Sequence, residues 1–223
     1  MKDKIYKVIC KQNFKTLLAE VKKQNGSIEI RADYAQISDE AQITALAGAA
    51  KKNKTIFTLR NKSEGGKFSG SEEKRLSLLS YALKQNFYYV DIELAAAKKM
   101  SFTAAEKKKL ILSYHNFKKT PLPAELNKIK KEMLAFSPAV MKVAVFAGSA
   151  GGILTVTRFL IDTIKERRQI IVTAMGEKAA FTRIFFPLLG SHAAYAPSDA
   201  ATAPGQYSVK DLEKIYNSLK VKI

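Results

Sequence analysis

The chain has 223 residues, of which 47% are hydrophobic, and its 38 lysines and arginines against 20 acidic residues give a net charge of +18. This length suits one large domain or two small ones, and α/β barrels of about 250 residues commonly form a single domain. No apolar run approaches the roughly 18 residues of a membrane span, and the N-terminus "MKDKIYKVIC" enters a strand pattern directly. A membrane protein and a signal peptide are therefore not expected.

The single cysteine and the distribution of the lysines along the chain further limit the class of protein and its partners. Cys10 is the only cysteine, which excludes an intrachain disulfide and a thiolate metal cluster and is typical of the reducing cytoplasm. The charge could mark a nucleic-acid surface. The lysines, however, are spread over the polar faces of most predicted helices, as in "EVKKQN" and "ELNKIKKEM". We interpret them as a solvated surface that attracts a small anionic substrate, with no nucleic-acid or membrane partner.

A strand pattern followed by a helix pattern occurs eight times along the chain. The strands are short, nearly continuous apolar runs, as parallel strands covered by helices are. They are predicted at 4–10, 27–33, 54–60, 88–94, 109–115, 139–147, 169–175 and 193–197. The helices between them have 3.6-residue periodicity, with starts at Asn13 and Ser208.

Eight βα units predict an α/β fold, a compact (β/α)8 TIM barrel that forms one domain over residues 1–223. A doubly wound open sheet is the alternative. It requires a glycine-rich fingerprint after an early strand, and "CKQNF" after the first strand offers none.

Polar residues gather where the predicted strands end, which is where chemistry takes place in such a barrel. The candidates are Glu29, Arg31 and Asp33 in "EIRAD", Arg60 and Glu64 in "TLRNKSEGG", Asp91 and Glu93 in "DIEL", His115 in "SYHN", Lys142, Arg183, and Gln206. Side chains alternate along a strand, so the three charges of "EIRAD" share one face. In a barrel they must pair with one another or contact a polar ligand.

Lys142 lies inside the apolar strand of "SPAVMKVAVFAGSAGG", residues 137–152. Alternation places it on one face with Ala144 and Phe146. If both faces are covered, the strand contains a buried amine, which is costly unless the amine is paired or neutral. The alternative is a lysine at the strand entrance whose ammonium group reaches water.

His115 is one of two histidines and lies on the strand before Lys142. Neighbouring strands are about 5 Å apart, so an imidazole and an amine could serve one reacting centre. A desolvated amine attacks carbonyls, an imidazole moves protons, and Glu64 could orient that imidazole. These residue types point to Schiff-base formation followed by proton abstraction beside the iminium carbon. A structural role is the alternative for His115, and it is our interpretation of His192.

Together these motifs resemble type I 3-dehydroquinate dehydratase, the Schiff-base enzyme of the shikimate pathway. The resemblance runs from about Ile28 to Gln206. Its most specific parts are "SYHNFKKTP" and the "APGQ" turn. The other matching motifs are "EIRAD", "TLRNKSEGG", "DIEL", "MKVAVFA" and "FTR", and all seven occur along the chain in the family's order.

The resemblance implies a role for each matched residue. Lys142 matches the Schiff-base lysine, His115 the general acid/base, and Glu64 the carboxylate that orients the histidine. The implied substrate-binding residues are Glu29, Arg31, Arg60, Arg183, Thr202 and Gln206. It also implies dehydration of 3-dehydroquinate to 3-dehydroshikimate, no metal or organic cofactor, and a homodimer.

The sequence departs from the family pattern at three places. Thr202 stands where the family usually has serine, and Ala179 or Ala180 stands where a glycine is expected before Arg183. The 27 residues before "IEIRAD" leave no room for the N-terminal hairpin of longer members.

Two alternatives remain open. A class I aldolase would share Lys142 but has no need of the paired "EIRAD", "TLR" and "APGQ" elements. A basic barrel that binds nucleic acid, or one that has lost its activity, would show salt-sensitive binding and tolerate Lys142→Ala.

Overall fold

The structure is a computed structural model of the chain and describes residues 4–198 and 206–219. Strands and helices alternate along it. The strands are Ile5–Ile9 (β1), Ser27–Arg31 (β2), Lys54–Thr58 (β3), Tyr89–Glu93 (β4), Leu110–Asn116 (β5), Val140–Phe146 (β6), Ile170–Met175 (β7) and Ala194–Pro197 (β8). The helices are Phe14–Lys23 (α1), Glu40–Ala49 (α2), Glu72–Lys84 (α3), Leu94–Ala97 (α4), Ala104–Lys107 (α5), Pro123–Ala135 (α6), Ala150–Lys165 (α7), Thr182–Leu188 (α8) and Val209–Ser218 (α9).

The eight strands belong to one sheet in the order β7-β6-β5-β4-β3-β2-β1-β8. The pairings of β2 with β3, β3 with β4 and β6 with β7 are parallel. This element order and this sheet are those of a (β/α)8 barrel, as predicted. All eight predicted strands are confirmed, because short apolar runs between amphipathic helices have few other ways to bury both faces.

Two predicted strands run two residues too far. The third strand, predicted over 54–60, ends at Thr58, so Arg60 lies beyond it. The second strand ends at Arg31, and Asp33 lies in the turn that follows it. The chain leaves the strand there because Tyr34 N donates back to Arg31 O at 3.2 Å, and Gln36 then takes a left-handed conformation with φ 53°. The prediction that Asp33 is a strand residue was therefore wrong.

Side-chain caps set the starts of five of the longer helices, whereas α6 has no such cap. Asn13 Oδ1 accepts from Thr16 N at 3.0 Å, and Ser208 Oγ accepts from Asp211 N at 3.1 Å, at the two starts predicted from the sequence. The same cap is made at α2, α3 and α7 by Asp39, Ser71 and Ser149. Each satisfies a first-turn donor that has no partner within the helix and contributes about 1 kcal/mol.

Internal contacts divide the chain into two compact units. One runs from Val8 to Leu112, and its core includes a stacked pair, Phe57 and Phe87, with ring centroids 4.9 Å apart. The other combines residues up to Lys7 with those from Ser113 onward. The expectations of a single domain over 1–223 and of an absent N-terminal hairpin stay predictions.

Within the described ranges, no helix combines the length and the apolar character that crossing a membrane requires.

Candidate active site

Two arginines and two carboxylates are buried together around the ends of β3 and β4. Arg60 Nη2 lies 2.8 Å from Asp91 Oδ2, and Arg60 Nη1 lies 3.2 Å from Glu93 Oε1. Arg75 of α3 approaches the other oxygen of Glu93, with Nη1 2.7 Å from Oε2. All four residues are at most 4% exposed. Charges this deeply buried are tolerated because each one is paired with an opposite charge.

Strand geometry explains how these residues meet. Asp91 lies opposite Thr58 in the register of β3 with β4, and Glu93 follows two residues later on the same face. Arg60 is likewise two residues beyond Thr58. Burial on its own lowers the pKa of Arg60, but the charges of Asp91 and Glu93, followed by Glu64 and Glu29, raise that pKa above its ordinary value. The guanidinium therefore remains a charged donor.

A third arginine, Arg31, is held by the carboxylate of Asp33. Arg31 Nε and Nη2 donate to the two oxygens of Asp33 at 2.9 and 2.8 Å, and Arg31 Cζ lies 4.9 Å from the ring centroid of Tyr34. Asp33 Oδ2 also accepts from Lys67 N at 3.0 Å. Glu29 is buried at 4% exposure and its Oε1 accepts from Thr58 Oγ1 at 2.9 Å.

Glu64 lies in a 3₁₀ turn, Lys62–Glu64, between β3 and α3. Asn61 builds this turn: its Oδ1 accepts from Ser63 N at 2.9 Å, and its main-chain oxygen accepts from Glu64 N at 3.1 Å. Gly65 has φ 79°, a left-handed conformation that favours glycine. A Cβ at Gly66 would collide with the main-chain carbonyl of Arg60. The "EGG" motif therefore fixes the path of the chain beside Arg60.

Lys142 is the third residue of β6 and pairs with Ile171 of β7 in the sheet register. It is 7% exposed, and its Nζ lies 4.3 Å from the ring centroid of Tyr195 on β8. Tyr195 packs in turn against Tyr6, with centroids 6.1 Å apart. The sequence left open whether Lys142 is buried or reaches water, and in the structure its side chain is buried.

His115 lies near the C-terminal end of β5 and is half-buried. Its imidazole stacks on Phe117, with centroids 6.2 Å apart and planes 12° from parallel. Asn116 closes the turn that follows, because its Oδ1 accepts from Lys118 N at 3.0 Å. The stack therefore covers one ring face of the histidine at the end of its strand.

Arg183 is the second residue of α8 and is half-buried. Burial lowers the pKa of its guanidinium, and the nearby Tyr207 acts in the opposite direction. Arg183 and Tyr195 line one small cavity of about 20 Å³. Gln206 is half-buried and directly precedes Tyr207. Thr202 lies outside the described residues.

The structure thus brings the predicted residues together in two groups, one in each compact unit. In the unit from Val8 to Leu112, Glu29, Arg31, Arg60 and Glu64 act on one another electrostatically. In the other unit, Lys142 and Arg183 both lie beside Tyr195. Among the described residues, no group of three or more His, Cys, Asp or Glu side chains is arranged to hold a metal ion.

Sequence reasoning missed two residues of these groups. Tyr195 is a large aromatic side chain in the alternating strand "AAYAP", which gave no sign of a lysine beside it. Arg75 left a clearer signal, since it falls on the apolar face of α3 with Leu78, Leu79 and Ala82. A charged residue at such a position requires a buried partner.

Comparison with known proteins identifies the family. A model of the type I 3-dehydroquinase family matches residues 10–223. The chain belongs to this family. It is therefore a 3-dehydroquinate dehydratase, a hydro-lyase of the shikimate pathway, and the Schiff-base mechanism is implied by the family. The predicted activity is confirmed, and the class I aldolase alternative is wrong.

Individual relatives agree with this family assignment. The 3-dehydroquinate dehydratase of Coxiella burnetii strain RSA 493 is 33% identical over 190 residues, which cover 85% of this chain and 80% of that protein. The 3-dehydroquinate dehydratase of Methanosarcina acetivorans is 31% identical over 225 residues, covering 96% and 93% of the two chains.

Two solved structures show the same fold. The 3-dehydroquinate dehydratase of Geobacillus kaustophilus superposes with a TM-score of 0.84 at 23% identity, covering 99% of this chain and 93% of that one. The type I enzyme of Clostridium difficile with covalent modified comenic acid has a TM-score of 0.83 at 22% identity, covering 98% and 92%.

Proposed function

We propose that Lys142 is the residue that forms the Schiff base with 3-dehydroquinate. The observation that supports this most is the burial of its amine against the ring of Tyr195, 4.3 Å from the centroid, in a Schiff-base family. The neutral amine attacks the C3 ketone, and the carbinolamine loses water to give an iminium. The ring face stabilises a cation at this position, and the iminium is such a cation.

We assign the proton transfers to His115. It removes the C2 proton, and the electron pair moves to the iminium nitrogen, which gives an enamine. The enamine expels the C1 hydroxyl as water, protonated by the same imidazole, and hydrolysis of the product imine releases 3-dehydroshikimate and Lys142. Two features support the assignment: β5 and β6 are neighbours in the sheet, and Phe117 restrains the imidazole. Glu64 orients the histidine, as the third member of a triad orients its base.

The binding residues supply charge and donors for a hydroxylated carboxylate. Arg183 suits the substrate carboxylate, since a guanidinium binds it through two parallel hydrogen bonds. Glu29, Arg31 and Arg60 suit the ring hydroxyls, because their buried charges are held rigidly by Thr58, Asp33 and Asp91. Gln206, half-buried after β8, is proposed as a further substrate-binding residue. The same role is expected of Thr202 from the family resemblance, and Thr202 lies outside the described residues.

The test is turnover by the purified protein. Formation of the conjugated enone from 3-dehydroquinate, with no cleavage of a sugar-phosphate aldol, supports the proposed site. Absence of enone from a folded protein would contradict it.

We further propose a homodimer in the cytoplasm. Phe185 of α8 and the two residues that flank this helix, Phe181 and Leu189, have four-residue spacing and are 47%, 46% and 45% exposed. They form an apolar strip that a second copy would cover. Cys10 is the single cysteine of the sequence, so the chain has no intrachain disulfide, as is usual in a reducing compartment. Sedimentation equilibrium at the mass of one chain, or recovery of the protein outside the cytoplasmic fraction, would contradict these two points.

A further inference from the structure

Among the described residues, Arg75 has the largest fully buried side chain, at 1% exposure, on the face of α3 that also buries Leu78 and Leu79. It is absent from the residues assigned above to substrate or to proton transfer. A buried guanidinium is costly unless its N–H groups find acceptors, so the acceptors of Arg75 indicate what it holds.

The guanidinium of Arg75 ties three segments together. Its Nε and Nη2 donate to Glu72 at 2.8 and 2.9 Å, at the start of α3. Its Nη1 donates to Glu93 Oε2 of β4 at 2.7 Å and to the main-chain oxygen of Leu59, just after β3, at 2.9 Å. Burial on its own lowers the pKa of Arg75, but its bonds to these carboxylates raise that pKa above the ordinary value.

Both carboxylates that Arg75 holds also bind Asn61. Glu93 Oε1 accepts from Asn61 N at 2.9 Å, and Glu72 Oε2 accepts from Asn61 Nδ2 at 2.9 Å. Asn61 is therefore fixed at its main chain and at its amide. Its own oxygens then accept from Ser63 N, Glu64 N and Gly66 N at 2.9, 3.1 and 2.8 Å.

We propose that Arg75 is a positioning residue for the dehydratase reaction. Through Glu72 and Glu93 it fixes Asn61, and through Asn61 it fixes the turn Lys62–Glu64 that presents the Glu64 carboxylate. The proposal rests on the role given above to Glu64, which is to orient the histidine that transfers protons. It therefore predicts an effect on the proton-transfer steps and a smaller effect on substrate binding, because Arg60 keeps Asp91 and Glu93 when Arg75 is changed.

The test is Arg75→Lys. This change keeps one positive charge beside Glu72 and Glu93 but replaces the planar guanidinium, with its several N–H donors, by a single nitrogen. A lysine cannot hold Glu72, Glu93 and Leu59 O in the geometry seen here. We expect kcat to fall about 10- to 100-fold, as small displacements of catalytic groups do. KM should stay within about threefold of the wild-type value, and borohydride reduction should still trap the substrate on Lys142.

Glu72→Ala removes the hydrogen bonds that Glu72 accepts from Arg75 and Asn61. The change is made at a more exposed position, because the Glu72 side chain is 25% exposed. It leaves Arg75 paired with Glu93, so the variant should fold, and kcat should fall in the same direction. If Arg75→Lys fails to fold, Glu72→Ala tests the proposal in its place, and an unchanged kcat in Glu72→Ala overturns the proposal.

The control is Lys130→Met, which breaks another ion pair made by a buried side chain, Lys130 Nζ to Glu166 Oε1 at 2.6 Å, in which Glu166 is 48% exposed. It should lower Tm and leave kcat unchanged. The proposal is overturned if Arg75→Lys likewise lowers Tm without changing kcat, or if it raises KM at constant kcat. Failure of the wild-type protein to turn over 3-dehydroquinate or to form the Lys142 adduct would instead overturn the proposed site.

Discussion

Lys142 and Tyr195 form a cation–π contact in which the amine nitrogen lies 4.3 Å from the centroid of the phenol ring. The contact covers the amine on one side with an aromatic ring. A ring face attracts any cation above it, with an energy of about 1–2 kcal/mol when the cation is desolvated. The contact that holds the lysine in the resting protein is thus suited to stabilise the iminium that replaces it.

Replacement of Lys142 by alanine should abolish turnover, because no other amine is assigned to the substrate ketone. Enone formation by the folded variant is the measurement. The matched control is Lys54→Ala, since Lys54 Nζ also lies over a tyrosine, 4.9 Å from the Tyr88 centroid, but at the first residue of β3. The control should keep full activity. Substantial turnover by Lys142→Ala would exclude the Schiff-base role.

His115→Ala should separate imine formation from proton transfer. We expect the borohydride adduct to form while kcat falls by a factor of about 100 to 10,000, the usual contribution of a general acid or base. His192→Ala is the control, because His192 N donates to Ile170 O at 2.8 Å, where β7 begins, at the end opposite to the chemistry. Loss of the adduct in His115→Ala would show that the histidine also assists imine formation.

Gly66→Ala should lower both stability and kcat/KM. The added Cβ would collide with the main-chain carbonyl of Arg60, so the turn or the strand end must move. Displacement of Arg60 and Glu64 should reduce kcat/KM by at least about tenfold. Gly48→Ala is the control: its Cβ meets nothing within 4 Å inside α2, and it should be neutral or stabilise by up to about 1 kcal/mol. Wild-type kinetics in Gly66→Ala would contradict this view of the turn.

Stability should depend on pH through Glu72. The hydrogen bond from Arg75 holds the pKa of Glu72 below its ordinary value of about 4.5, so this carboxylate stabilises the folded protein above that pH. The contribution is lost as pH falls through the lowered pKa, because protonation breaks the ionic bond. Urea unfolding from about pH 6 to pH 3 should show a steeper loss in the wild type than in Glu72→Gln. Equal slopes would contradict the pairing.

Local pattern was sufficient to predict the eight strands, because an apolar run covered on both faces leaves few alternatives. It left open whether Lys142 is buried or reaches water. The ends of strands were harder to predict. Asp33 alternates with Arg31 like a strand residue, but a turn bond from Tyr34 N ends β2 first.

The sequence did not predict the contacts between side chains that are distant along the chain. Tyr195 meets Lys142 and Arg75 meets Glu93 only because separate strands and helices converge. No spacing along the chain encodes those contacts. The residue types suggested the roles of Lys142, His115 and Glu64, and the family resemblance then assigned them.

The most direct test of the central claim is a trapping experiment on the wild-type protein. The protein is incubated with 3-dehydroquinate, reduced with borohydride, digested and mapped by mass spectrometry. A substrate-derived mass on Lys142, absent without substrate and absent from Lys142→Ala, is the result expected. An adduct on another lysine, or none on a folded protein that turns over substrate, would contradict the assignment of Lys142 as the Schiff-base residue.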